Sequence, residues 1–339
     1  LFYYTHLVRR LSLHYETFMM PKWTKTITDS VSIRFLLFDR FSNMCLANCL
    51  EPLRAAKTMV GRNFYKWRFL SLEGQTVSSS SGLPVLTQGK LVDMEHCDYL
   101  FIVTSYDYLL HDTAQCRKVL QDSARKSKTM VGLDTGPWLM ASSGLLEGRR
   151  ATLHWETIDS FSEKFLNIDT VRHRVVRDGN RITCAGAMSA FDLTRSMIED
   201  HLGSSVALDV DSMLLHDDPL PTKTRHVPSG PTSPLKRAIL AMQTNVERPL
   251  RITKIAKIAA CPPKTLERRF KAAFDASPGQ VYRHIRLTVA RQLVESTSLS
   301  IYEISLRCGY ESAASMSRAF RLRFGMAPRA LAQSYRSGR

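Results

Sequence analysis

No run of about 18 apolar residues occurs in the 339-residue chain, so no segment is expected to cross a membrane as a helix. Cysteine is sparse: seven residues (45, 49, 97, 116, 184, 261, 308), an odd count with no Cys-x-x-Cys pair. That pattern argues against a disulfide framework and fits a reducing, cytosolic compartment. Cys45 and Cys49 stand one helical turn apart but no His accompanies them, so they read as buried thiols rather than metal ligands. Neither a metal nor a cofactor is expected. The first 20 residues carry Arg9 and Arg10 but no continuous apolar stretch and no small-residue cleavage site, so a signal peptide is not expected. The chain opens on Leu, and residues 1–30 read as a disordered segment or an upstream extension.

Acidic residues are also scarce, but only at one end. From Leu235 to Arg339 there are 20 Lys+Arg against 6 Asp+Glu, a net of +14, whereas residues 1–234 hold 27 against 25, a net of +2. Almost the whole charge of +16 belongs to one region, the electrostatic footprint of a phosphate-backbone binder.

That basic region nearly repeats itself. Ile252-Thr-Lys-Ile-Ala256 returns as Ile301-Tyr-Glu-Ile-Ser305 after 49 residues, and Phe274-Asp-Ala-Ser-Pro278 as Phe324-Gly-Met-Ala-Pro328 after 50. Each copy reads as a short helix, a break and a second amphipathic helix rich in Arg and Lys, which is the pattern of a helix-turn-helix. Expected helices are Leu235 to Val246, 252–260, 263–273, 278–295 as a long connector, 301–308, and one capped by Ser312 running to Phe324. On the second helix of the first copy, Leu266 and Phe270 should face the core, leaving Lys264, Glu267, Arg268 and Lys271 outside. On that of the second copy, Met316 and Phe320 are the buried pair, with Ser315, Arg318, Arg321 and Arg323 outward to varying degrees. Arg268 and Arg318 are the expected base readers, because Arg can donate two hydrogen bonds to guanine. Glu267 either accepts from a cytosine amino group or pairs with Arg on its own helix. The other basic residues are expected to bind phosphate.

Residues 31–215 alternate between apolar runs and helical patterns, which predicts an α/β doubly wound sheet. The expected strands are Ser32 to Phe38, Tyr65 to Leu70, Asp98 to Val103, Lys128 to Leu133, and a hairpin of 174–177 with 181–184. Helices are expected over 44–57, 113–126, 137–146, 156–166 and 187–202. Five of the fourteen prolines fall within residues 216–234, an expected interdomain linker ahead of an all-α domain of residues 235–335.

Two family resemblances follow from these motifs. Ile301-x-x-Ile-Ser-x-x-Cys-Gly-Tyr310, then Ser317-Arg-Ala-Phe-Arg-Leu-Arg-Phe-Gly325, then Ala327-Pro328 resemble the two-subdomain DNA-binding region of AraC/XylS transcription regulators. In the first copy, Ala260 stands where that family usually has a turn Gly, and Pro262 where it usually has a capping Ser. Each departure costs about 1 kcal/mol. Upstream, Lys128 to Leu133 runs into Asp134-Thr135-Gly136 and a helix, a strand–turn–helix elbow. With Glu51-Pro-Leu-Arg-Ala-Ala56 and the stretch from Gly144 to Trp155, it resembles the flavodoxin-like class I glutamine amidotransferase-like domain. The version it is most similar to is fused upstream of AraC-type domains in regulators of arginine and quaternary-amine catabolism.

Enzymes of that superfamily carry Cys at the elbow, and this chain has Asp134. His154 remains without a thiol to activate. The domain therefore reads as a non-catalytic sensor, and an amidase or hydrolase tethered to DNA is the competing reading. A ligand-independent DNA-binding protein is a third. Asp134 either caps the following helix or contacts a ligand. If Glu51 and Asp134 line the old site with Thr135 and His154, two carboxylates favour a cation. Trp138 and Trp155 either fill the core or add cation–π attraction of about 0.5–2 kcal/mol. The resemblance independently implies an arginine-like or betaine/carnitine-like metabolite. It also implies double-stranded promoter DNA as target, a homodimer, action as an activator through RNA polymerase, and a bacterial, cytoplasmic, nucleoid-associated protein.

Overall fold

The computed structural model describes residues 29–60, 63–74, 76–214 and 233–337. Apart from 29–30 and 233–234, the expected extension (1–30) and nearly all of the expected linker (216–234) lie outside the described residues. The chain divides into two compact units: residues 29–201 with 210–214, and residues 202–209 with 233–337.

The first unit runs β1 (Val31–Leu37), α1 (Asn43–Val60), β2 (Tyr65–Leu70), β3 (Val77–Ser78), β4 (Pro84–Val85), β5 (Cys97–Thr104), α2 (Ala114–Lys126) and β6 (Ser127–Asp134). It continues with α3 (Gly136–Ser142), β7 (Arg150–Ala151), α4 (Ile158–Lys164), β8 (Asp169–Thr170), β9 (Val175–Asp178), β10 (Arg181–Cys184) and α5 (Ala187–Leu202). Strand order in the main sheet is β2-β1-β5-β6-β10-β9, parallel throughout except for the β9–β10 hairpin. Continuous apolar strands suit this arrangement because both faces of a parallel sheet are covered. Phe69, Phe35 and Phe101 fall in register on three adjacent strands, with ring centroids 5.9 and 4.9 Å apart. Burial of one such ring contributes about 2–3 kcal/mol.

The expected α/β doubly wound domain is the flavodoxin-like fold observed, and each expected strand is present. Two expected helices are shorter. The one predicted over 137–146 ends at Ser142, and Gly144 and Gly148 at positive φ turn the chain beyond it. The one predicted over 156–166 spans Ile158–Lys164. The β3–β4 and β7–β8 pairs were not expected, because two-residue strands are too short to carry a periodic signal.

The second unit is helical. It takes residues 204–209 of α6 (Ser204–Met213), then α7 (Pro234–Gln243), α8 (Ile252–Ile258), α9 (Pro263–Phe274), α10 (Pro278–Ser296), α11 (Ile301–Arg307), α12 (Ala313–Phe324) and α13 (Pro328–Ser337). Two small cores lie along α10. Val281, Tyr282 and Ile285 join Leu266 and Phe270 in one, and Leu287, Ala290 and Val294 join Met316 and Phe320 in the other. The connecting helix is therefore a shared wall. Capping boxes set the starts of α10 (Ser277 with Gln280) and α11 (Ser300 with Glu303). Ser312 caps α12 by accepting from the Ser315 amide at 3.2 Å, as expected. α13 was not expected.

The duplication extends further than the sequence motifs indicated. Arg237 on α7 donates to the carbonyl of Ala259 at the end of α8 (2.6 and 3.1 Å). Arg286 on α10, 49 residues later, donates to those of Cys308 and Gly309 at the end of α11 (2.8 and 2.6 Å). Each copy thus begins with a helix whose arginine ties down the turn.

Candidate nucleic-acid interface and ligand cavity

The two helix-turn-helix copies differ at the turn. Ala260 adopts φ 49°, in the left-handed region, and its counterpart Gly309 adopts φ 67°. Glycine meets no steric penalty there, whereas an L side chain loses about 1–2 kcal/mol. Pro262, at the position before α9, makes no side-chain cap. Both departures noted in the sequence therefore have a structural counterpart, in a copy whose Leu266 and Phe270 are fully buried.

On α9, Lys264, Glu267, Arg268 and Lys271 are all exposed, along with Arg269, which sequence reasoning passed over. Lys271 makes a 2.6 Å ion pair with Asp275, whose φ of 53° closes the helix. On α12, Arg318 and Arg321 are exposed. Ser315 is half-buried, and its hydroxyl donates to the Ser312 carbonyl at 2.8 Å. Leu266 and Met316 stand 50 residues apart, as do Phe270 and Phe320, so Arg268 matches Arg318 and Lys271 matches Arg321. The helices differ at Lys264 against Ala314 and Glu267 against Ser317.

Arg323 departs from its expected outward position. Its Nε donates to His284 Nδ1 at 3.0 Å, and its Nη2 lies 3.4 Å from Asp209 Oδ2. The reason is helical spacing: positions 316, 320 and 323 share one face, and the first two are core residues. That stripe was visible in the sequence.

In the first unit a cavity of about 660 Å³ opens where strands β1, β5, β6 and β10 end, the usual crevice of an open parallel sheet. Asp134, the last residue of β6, is held at φ 60°, the strained turn of an elbow. The next turn is tight as well, since a Cβ at Gly136 would lie 2.5 Å from the Ile102 carbonyl oxygen. Asp134 is only 7 % exposed. Its Oδ2 accepts from Ser105 Oγ at 3.1 Å and from the Cys45 thiol at 3.7 Å, and its main-chain carbonyl accepts from the His154 amide. Burial pushes its carboxyl above the usual range, against the pull of His154, Ser105 and Cys45, with Glu156 adding to the rise. Thr135 donates to the Ser105 carbonyl at 2.9 Å.

The structure brings Asp134, Thr135, His154 and Trp155 together around this cavity. Trp155 is 69 % exposed, and its ring centroid lies 5.7 Å from that of His154. Glu51 and Trp138 do not line it. Glu51 pairs with Arg54 on the surface of α1 at 2.6 Å. Trp138, 4 % exposed, stacks edge-on against Tyr108, Phe161 and Phe165 in the core. The carboxylates that accompany Asp134 are instead Glu156 and Asp107, the latter paired with Arg40 at 2.9 Å. Sequence reasoning missed Ser105, Tyr106, Asp107 and Glu156. The available signal was the polar run 105–107 directly after strand β5, since residues beyond strand ends line such crevices.

All seven cysteines are free and buried. Burial pushes the Cys45 and Cys49 thiols far up and that of Cys184 to about 12, so none of these three supplies a thiolate near neutral pH. Among the described residues no cluster of three metal-ligating side chains occurs, and no helix is long and apolar enough to cross a membrane.

Comparison with known proteins agrees with both halves. Residues 31–200 match the DJ-1/PfpI family and residues 255–334 match a helix-turn-helix domain family. The HTH-type transcriptional regulator CdhR of Pseudomonas aeruginosa is 34 % identical over 302 residues, which covers 87 % of this chain and 89 % of CdhR. GlxA of Rhizobium meliloti, also named an HTH-type transcriptional regulator, is 34 % identical over 306 residues, covering 88 % and 94 %. Among solved structures, a ThiJ/PfpI family protein from Pseudomonas syringae shares the fold, with a TM-score of 0.51, 20 % identity, and 73 % of this chain and 94 % of that one covered. The chain belongs to the HTH-type transcriptional regulators that join a DJ-1/PfpI domain to an AraC-type helix-turn-helix domain.

Proposed function

We propose that the DJ-1/PfpI unit is a non-catalytic sensor for a small cationic metabolite, arginine-like or betaine/carnitine-like, and that its occupancy changes promoter binding by the helix-turn-helix unit. One observation carries the sensing half: the elbow holds a buried carboxylate, Asp134, facing a cavity rimmed by Trp155, Tyr106 and Glu156. A cation entering there gains an ion pair in a poorly solvated site, and an aromatic ring nearby adds about 0.5–2 kcal/mol. Acyl transfer finds no support in the same place, because the nearby thiols are protonated and a carboxylate is a poor acyl-transfer nucleophile.

On this reading Arg268 and Arg318 read bases, Glu267 tunes the first element, and Lys264, Lys271, Ser315 and Arg321 position the helices on phosphates. The protein acts as a homodimer in the bacterial cytoplasm on nucleoid DNA, and activates transcription through RNA polymerase. The ligand shifts the population towards the DNA-engaging state. The test is binding of the purified chain to its own upstream DNA across a salt series, with and without arginine, glycine betaine, carnitine and related amines. One cation should change the affinity in wild type and lose that effect in Asp134→Asn. Indifference to every compound would refute the sensor reading, and no preference over random DNA would refute promoter recognition by this chain.

A further inference from the structure

A buried charged cluster joins three helices of the second unit. Asp209 on α6 accepts from His284 Nε2 at 2.6 Å and from Thr288 Oγ1 at 2.8 Å through the same oxygen. Its other oxygen lies 3.4 Å from Arg323 Nη2, which also donates to Ser205 Oγ at 3.3 Å. Arg323 Nε donates to His284 Nδ1 at 3.0 Å. Both ring nitrogens of His284 are thus engaged, Nε2 by the Asp209 carboxylate and Nδ1 by the Arg323 guanidinium. Asp209 and His284 are 6 % and 3 % exposed. Such a cluster is costly to leave half-made, since a buried charge stripped of its partner is strongly destabilising.

The position of these residues gives the cluster a role. Arg323 is in the last turn of α12, the helix that presents Arg318 and Arg321. His284 and Thr288 are on α10, the wall shared by both helix-turn-helix copies. Asp209 comes from neither copy and precedes the basic region by more than twenty residues of sequence. In the first copy, the residue 50 positions before Arg323 is Ala273, which is exposed and carries no charge to be held. The clasp is thus an addition to the second copy alone.

We infer that Asp209 is a positioning residue for DNA recognition: acting through Arg323 and His284, it fixes α12 against α10, and the DNA-binding unit functionally begins at residues 202–209. The inference rests on the reading of α12 as a DNA-reading helix. It implies that the second recognition helix carries, beyond the packing and the arginine tie common to both copies, a charged clasp supplied from upstream.

The test is footprinting of the full chain on DNA selected in vitro with the wild-type protein, comparing wild type, Asp209→Asn, Arg323→Lys and the double variant, with far-UV circular dichroism as a check on folding. Asp209→Asn should weaken protection of the element read by α12 and lower affinity at least tenfold, while protection of the element read by α9 persists. The double variant should lose less than the sum of the two single losses, because part of the effect of Asp209 runs through that arginine. A wild-type footprint in folded Asp209→Asn, or equal weakening of both elements, would overturn the inference. If Asp209→Asn does not fold, Arg323→Lys decides by the same two footprints. A wild-type chain with no sequence preference would instead overturn the DNA reading on which the inference rests.

Discussion

Replacing Ala260 by Gly should make the protein more stable. Ala260 carries a side chain at φ 49°, where the penalty for an L-residue is about 1–2 kcal/mol. Glycine removes that penalty but makes the unfolded chain freer, at a cost of about 0.4–1 kcal/mol. The net expectation is a gain of roughly 0.5–1 kcal/mol. In a helical unit of this size such a gain raises Tm by about 2–6 °C. The mirror experiment in the second copy is more severe. At Gly309, φ 67° adds the same conformational penalty, and a Cβ would lie 2.5 Å from Pro249 Cγ and 2.7 Å from the Val246 carbonyl oxygen. Gly309→Ala should therefore cost about 2–4 kcal/mol, combining strain with overpacking. Because the two units need not unfold together, the readout should be specific to the helical one: amide exchange of residues 252–324 under native conditions, alongside thermal unfolding. Loss of stability in Ala260→Gly, or a neutral Gly309→Ala, would refute the claim that both turns hold a left-handed position that glycine fills better than alanine.

Other outcomes are expected from the same geometry. Pro262→Ser should add a cap to α9 and contribute about 1 kcal/mol on urea unfolding. Arg318→Ala should cost about 1–3 kcal/mol in DNA affinity and relax preference at one base, whereas Lys264→Ala should weaken all sequences alike and reduce the salt slope by about 0.9. Titration of Asp134 sets a pH dependence of stability. Its carboxyl is raised in the folded state, so the folded form binds the proton more tightly and loses stability as pH rises from the unfolded value through the folded one. Asp134→Asn should therefore stabilise the first unit at pH 7 and lose that advantage at acid pH, as read by denaturant unfolding at several pH values. Asp209 works in the opposite sense. Burial opposes its charge, but His284, Arg323 and Thr288 outweigh burial and lower its pKa. Its contribution is present at neutral pH and is lost as pH falls below the usual carboxylate range.

Much of this molecule is local in origin, and that part was legible in the sequence. The parallel strands announce themselves as continuous apolar runs because both their faces are buried, and Phe35, Phe101 and Val131 needed no tertiary information to be placed in strands. The two helix-turn-helix copies are equally legible, since a short helix can be buried only through residues such as Leu266 and Phe270 at helical spacing. The strain at Ala260 was located through the family resemblance, which expects glycine at that turn, and φ 49° bears it out. Charge asymmetry between the two ends required only counting.

Other features depended on residues far apart in the chain. That Trp138 is a core residue while Trp155 stands at the cavity mouth follows from the elements packed against each ring. Glu51 reads like a partner for Asp134 until its helix turns it towards Arg54 and solvent, while Ser105 and Cys45 take the places beside that carboxylate. Arg323 resembles its exposed neighbour Arg321, yet Asp209, 114 residues earlier, draws it inwards. Periodicity and motif describe a residue by its neighbours along the chain. The state of a buried charge depends on neighbours through space, and only the tertiary structure decides which those are.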